Sequence, residues 1–175
     1  MHSTGANPTG ESTPRAIAAK QFRGYRLLQM HGMVTPKMRA RVRTFWLREG
    51  ALPDALTALR KTVQLLYVIE NAAGEIVGVT AAFTAIAPRL GRRVYCYRTF
   101  VRPADRVPGL SQFALQASWK MLDASRPLGG PVGLVVAAEN PKLERPGVRR
   151  KATALGWRYL GRNRRGQNMW IKPFS

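Results

Sequence analysis

An α/β fold, with a mixed and mostly antiparallel central sheet of about seven strands flanked by about four helices, is predicted by three observations. Short runs rich in β-branched and aromatic residues alternate with amphipathic segments in the order β-α-α-β-β-β-α-β-α-β-β; the only long crossovers are helical; and no internal repeat is present. The 175 residues suit one domain with a tail, and a hydrophobic content of 45% is enough for a core.

Residues 1–20, "MHSTGANPTGESTPRAIAAK", are rich in Ser, Thr, Gly and Pro without an apolar period and read as a disordered polar tail, leaving 21–175 as the folded domain. "YRLLQM" (25–30) reads as the first strand. Thr35 is a plausible N-cap and Pro36 occupies the first helical position of "PKMRARVRTFWLRE". In the next helix, "LPDALTALRKTV", Leu52, Leu56 and Leu59 fall on one face at spacings a helix can bury. "QLLYVIE" and "EIVGVTAAFTAIA" form a hairpin through "NAAG", and "RRVYCYRTFV" (92–101) follows a turn at Pro88–Gly91. "SQFALQASWKMLDA" reads as a helix and "GGPVGLVVAAEN" as a buried strand. "GVRRKATAL" is a short basic helix stopped by Gly156, and "WRYLGRNRRGQNMWIKPF" is a closing hairpin turned at "RNRRG".

Charge points to a partner. Against 29 Lys and Arg stand 9 acidic residues, a formal charge of +20 and a pI near 11.6, so the surface carries a strong positive field and a polyanion, DNA or tRNA first, is the expected partner. An Arg-, Ala- and Pro-rich coding bias is the alternative source of that excess. Cys96 is the only cysteine, which excludes a disulfide within one chain, and two histidines supply no Cys/His set for zinc, so no metal is expected. No apolar run approaches the roughly 18 residues of a membrane span and no signal-peptide core is visible, so a cytoplasmic, membrane-free protein is expected. Homo-oligomerisation is left open.

Between a strand and a helix lies "VRPADRVPGLS" (101–111). Val101, Pro103, Arg106 and Gly109 stand there at set spacing, and a helix N-terminus presents free backbone N–H groups and a dipole that favour a phosphate. The bland alternative is a Pro-Gly turn with solvated arginines. With the element order, this loop resembles the GCN5-related N-acetyltransferase (GNAT) superfamily over about residues 25–174. There the fourth strand runs into a pyrophosphate loop of pattern Arg/Gln-x-x-Gly-x-Gly/Ala, often preceded by Val-x-Pro. Ser111 departs from the last position.

The resemblance implies acetyl-coenzyme A, or another acyl-coenzyme A, as cofactor. Its site would be formed by Phe100, Val101, Arg102, Arg106, Val107, Gly109, Leu110, Ser111 and Asn140, with a backbone N–H near Phe100 or Val101 polarising the thioester carbonyl. Asn140 matches the Asn that ends the family's fifth strand, and Gly156-Trp157 stand for Gly-Phe. Ala152 replaces the landmark Tyr, and "PKLERP" lengthens the interval after Asn140. The family's frequent Glu base is missing from 92–101. Tyr97 and Glu139 are the side chains left to receive a proton, directly or through water. Tyr95 and Tyr97 share one strand face and Cys96 and Arg98 the other, so one set at most faces substrate. Core packing accounts for both tyrosines equally well.

Lys37 and Arg41 in the first helix, Arg149, Arg150 and Lys151 in the last, and Arg164 and Arg165 in the final turn are the candidate acceptor contacts, expected along one acceptor side. The basic charge and "GWRYLG" are similar in layout to DNA-modifying members such as the adenine-modifying protein of phage Mu, and to toxins that acetylate aminoacyl-tRNA. Three functions remain: an N-acyltransferase acting on an amine of, or attached to, a nucleic acid; an acyltransferase of a protein or small amine; and an inactive basic nucleic-acid-binding module on the same fold.

Overall fold

A computed structural model describes residues 18–138 and 146–175. Local sequence sets the helix starts. Thr35 Oγ1 accepts from the Met38 N–H at 3.2 Å and Pro36 fills the first turn, so α1 (Pro36–Arg48) begins at its cap and buries Met38, Val42, Phe45 and Trp46. Asp54 caps α2 (Ala55–Lys61) through the Thr57 N–H at 2.7 Å. That cap starts α2 later than expected and turns Ala58, not the leucine stripe, toward α1. Leu56 and Leu59 are 56% and 42% exposed.

Eight strands form one sheet rather than seven: β1 (Ala19–Phe22), β2 (Tyr25–Gln29), β3 (Leu65–Glu70), β4 (Ile76–Ala87), β5 (Arg92–Val101), β6 (Gly133–Ala138), β7 (Arg158–Arg162) and β8 (Asn168–Pro173), in the spatial order β1-β2-β3-β4-β5-β6-β8-β7. The unexpected strand is β1, which takes the last residues assigned to the tail. It turns into β2 through Arg23 and Gly24 at φ of 45° and 82°, the positive values that a two-residue hairpin requires. Its polar, exposed "AKQF" carries no alternating pattern, so only pairing reveals it. Residues 1–17 lie outside the described residues.

The helices cover opposite faces. α1 and α2 close a core with Leu28, Leu65, Val68 and Val79. On the other face α3 (Leu110–Ser125) seals Leu27, Tyr67, Ile69, Val101 and Leu134. α4 (Pro146–Ala154) lies on the α3 side, because its Arg149 guanidinium sits 5.8 Å from the Trp170 ring while Lys172, on the same face of β8, covers the α3 ring Trp119 at 4.5 Å. No described helix is long and apolar enough to cross a membrane.

Every neighbouring pair is antiparallel except β5 and β6, which run parallel and pair only at Tyr95–Leu134 and Cys96–Val135. Past Cys96, β5 continues to Val101 and β6 to Ala138 without meeting, so the sheet splits at its centre. Leu134, fully buried, anchors the joined end. Leu134→Ala is expected to cost about 2–5 kcal/mol, read as a lower urea midpoint at unchanged slope; a loss below about 1 kcal/mol would remove Leu134 from the core that holds the strands together.

Candidate active site: a split sheet and the loop that leaves it

The chain leaves β5 with the Arg102 N–H still bonded to the Val77 carbonyl at 2.9 Å, makes one tight turn at Pro103–Asp105, and reaches α3 through Gly109 at φ 89°. The positive φ of Gly109 demands glycine, and a Cβ there would lie a tight 3.1 Å from the tip of the Phe22 ring. Val107 and Leu110 turn inward to the α3 core. Among the described residues, the backbone N–H groups of Gly109, Ser111 and Gln112 have no acceptor, whereas Phe113 is the first to bond back, to Gly109 at 2.8 Å. Arg106 is exposed, and its Nε donates to the Val101 carbonyl at 3.0 Å, which holds the guanidinium over the end of β5.

Arg102 is placed differently from the expectation. It bridges the buried carboxylate of Asp105 and Glu75 Oε2, the latter at 3.1 Å, while the Tyr25 hydroxyl donates to Asp105 at 3.2 Å. Burial, then the hydrogen bond to Asp105, pushes the Tyr25 phenol up. Arg102 therefore braces the loop from behind instead of facing a phosphate.

Tyr97 is also corrected. It points to the α3 core with its hydroxyl buried among the hydroxyls of Thr80, Thr99 and Ser118, where burial raises its pKa well above the ordinary phenol value. A phenol so placed is a poor base at neutral pH and does not reach the α1/α2 face. Tyr95 packs edge-on against Phe174 at 6.1 Å. Cys96, Arg98 and Phe100 hold the opposite face. Phe100 meets Phe45 of α1 edge-on at 5.8 Å, and the Arg98 guanidinium lies 4.7 Å over the Phe83 ring. Glu139 and Asn140 lie outside the described residues.

No protein-family model matches the chain, and no curated protein matches its sequence. Solved structures do match its shape. An acetyltransferase of the GNAT family from Listeria monocytogenes superposes with a TM-score of 0.58 at 14% identity, over 90% of this chain and 100% of the other. A GNAT-superfamily phosphinothricin acetyltransferase from Sinorhizobium meliloti, in complex with AcCoA, gives 0.58 at 17% identity over 78% and 85%. The ribosomal-protein-S5-alanine acetyltransferase from Vibrio fischeri gives 0.55 at 12% over 89% and 95%. The chain has the GNAT acetyltransferase fold.

Within the GNAT fold the basic candidates do not line one side. Lys37 is exposed on α1, but Arg41 is bound to Glu70 and to the Gly74 carbonyl, each at 3.0 Å. Arg149 lies on the far face of the sheet, stacked on Tyr159 and Trp170 at 5.4 and 5.8 Å. Arg150, Lys151, Arg164 and Arg165 are exposed there and in the last turn. The expectation of a single acceptor side thus fails, because α1 and α4 cover opposite faces of one sheet. What sequence reasoning left without a role is Arg98, already set opposite Tyr97 on the strand, together with the half-buried Lys61 at the end of α2. The available signal was Arg98, a charge in the middle of an otherwise apolar and aromatic stretch of strand.

Burial pushes the Cys96 thiol up, and Arg98 only partly offsets this. The thiolate fraction at neutral pH is accordingly below that of a free cysteine, which argues against a nucleophile. Alkylation of the native protein by iodoacetamide is expected to be slow at pH 7.5 and to keep rising above the pH at which a free thiol levels off. Modification as fast as that of the unfolded chain would contradict this placement.

Proposed function

We propose that the chain is an acetyl-coenzyme A-dependent N-acyltransferase whose acceptor is an amine of, or attached to, a nucleic acid. The observation that carries the cofactor half is the loop at the split, which brings together three unpaired N–H groups at the start of α3, the Arg106 guanidinium and a glycine at positive φ. This donor set fits a pyrophosphate, and the Ser111 position adds a hydroxyl without bulk. Arg106, Val107, Gly109, Leu110 and Ser111 would hold the diphosphate, and the stretch of β5 at Phe100 and Val101 that β6 leaves open the arm that follows it. Acetyl-coenzyme A supplies an acetyl group already activated as a thioester. The chain's own contribution is to hold an unprotonated amine against the open edge of β5 and to offer backbone donors there.

The charge supports the acceptor half. Of nine acidic residues, Glu11, Glu139 and Glu144 lie outside the described residues, and each of the other six has a partner. Glu49 pairs with Arg48, Asp54 caps α2, Glu70 pairs with Arg41, Glu75 and Asp105 with Arg102, and Asp123 with Arg126. The remaining basic side chains project an uncompensated field. A second reading, a protein amine as acceptor, is favoured by the likeness to the Vibrio fischeri ribosomal-protein acetyltransferase.

Acetyl-coenzyme A at a hundredfold its Kd is expected to stabilise the protein by about 2.7 kcal/mol, a rise of roughly 5–10 °C in Tm that equimolar ATP does not reproduce. Arg106→Glu is expected to abolish that rise; unaltered affinity in a folded variant would sink the loop assignment. Binding of a single-stranded oligonucleotide should weaken steeply with salt, and Arg150→Gln with Lys151→Gln should lower affinity without touching the cofactor shift. A protein acceptor predicts little salt dependence.

A further inference from the structure

We infer that Arg98 and Lys61 form an anion-binding pair beside the open edge of β5 and hold there a phosphodiester of the acceptor nucleic acid, next to the amine being acylated. The inference rests on the nucleic-acid reading above and assigns to that reading the contact that would set acceptor position.

The pair lies on the α1/α2 face. Strand alternation puts Arg98 on the same side as Cys96 and Phe100, opposite the buried Tyr97, and in the stretch of β5 that β6 leaves unpaired. Phe100, two residues on, is roughly 7 Å away along the strand, which is within the reach of a single nucleotide. The Phe83 ring under the guanidinium orients it and leaves its N–H fork uncovered toward solvent. Lys61 closes α2, and the chain from it enters β3 at Leu65, which lies across Ala81 of β4 from Arg98. Burial and the neighbouring Arg98 charge both push its ammonium down, the response of a cation held near a like charge without a counter-ion.

Neither residue has an ion pair or hydrogen bond among the described residues, and the six described carboxylates are all committed elsewhere. Lys61, half-buried, and Arg98, exposed, lack a counter-ion and repel one another, and an external anion stabilises both. A tetrahedral phosphate oxygen pair suits the Arg98 fork, and the Lys61 ammonium adds a point charge. Arg98 occupies the strand in which the GNAT resemblance leads one to expect a Glu base; an anion holder there selects acceptors by charge and leaves proton removal to water.

The test compares the full chain with a Lys61→Gln/Arg98→Gln variant and with a Lys20→Gln/Lys120→Gln control, which removes equal charge from exposed positions on β1 and α3. The probe is a fluorescein-labelled 20-nucleotide single-stranded DNA, read by anisotropy across a salt series, with the acetyl-coenzyme A thermal shift of each protein recorded in parallel. Expected is a loss of about tenfold in affinity at low salt and a fall of about 0.7 in the log–log salt slope for the Lys61/Arg98 variant, the value for one lost single-strand phosphate contact. The control should change far less, Arg98→Lys should recover part of the loss, and the acetyl-coenzyme A shift should persist in all. If the wild type binds and the Lys61/Arg98 variant matches the control, the anion pair is overturned and the nucleic-acid reading stands. If the wild type itself fails to bind while the acetyl-coenzyme A shift is present, the nucleic-acid reading falls and this inference with it.

Discussion

The brevity of the contact between β5 and β6 is the constraint from which the rest of the molecule follows. Two residue pairs join strands of ten and six residues, and the parallel ladder then ends. An unpaired backbone in the middle of a sheet has donors and acceptors that folding leaves unsatisfied, and such groups need a partner. The two halves of the sheet are kept in one body by side chains. Leu134 sits under α3, while Val135 meets Val94 and Ile171 on the other face. The opening is thus a supported gap whose edges are fixed by the cores on either side.

Electrostatics in this chain is organised by scarcity. With so few carboxylates, each described one is used where geometry needs it: capping α2, tying α1 to the β3–β4 turn, or locking the loop after β5. Glu75 and Asp105 on Arg102 show the pattern, since the pair fixes the loop that leads to α3 while Arg106 remains available in front. Cations elsewhere lack such partners, and the field they generate at long range belongs to the molecule as a whole.

Much of this was legible in the sequence. The cap at Thr35, the turns, and the whole of β5 follow from local rules, because a cap or a tight turn is decided by a few neighbouring residues. The loop at 101–111 was visible because its glycine and proline are demanded by backbone geometry. What could not be read was decided at longer range. The strand at Ala19–Phe22 has no pattern of its own and exists through pairing with β2. Arg102 and Arg106 look equivalent in sequence, and only the positions of Glu75, Asp105 and the Val101 carbonyl separate them. Tyr97 and Arg98 were known to face opposite ways, but which faced the core depended on which face α3 covers. Grouping the basic segments on one side failed because composition along a chain does not say on which face of a sheet a helix will land.

The contact of Phe22 with Gly109 joins the first strand to the turn that opens α3, and it ties the permissible residues at these positions together. A smaller residue at 22 would make room for a methyl group at 109 but would not relieve the positive φ there, whereas a side chain at 109 crowds only the tip of the ring. The two sites are therefore unequal partners: position 22 can drift among shapes that still cover the turn, while position 109 is held to glycine by its backbone conformation. Divergence in this fold should accordingly be recorded on the strand before it is recorded in the loop.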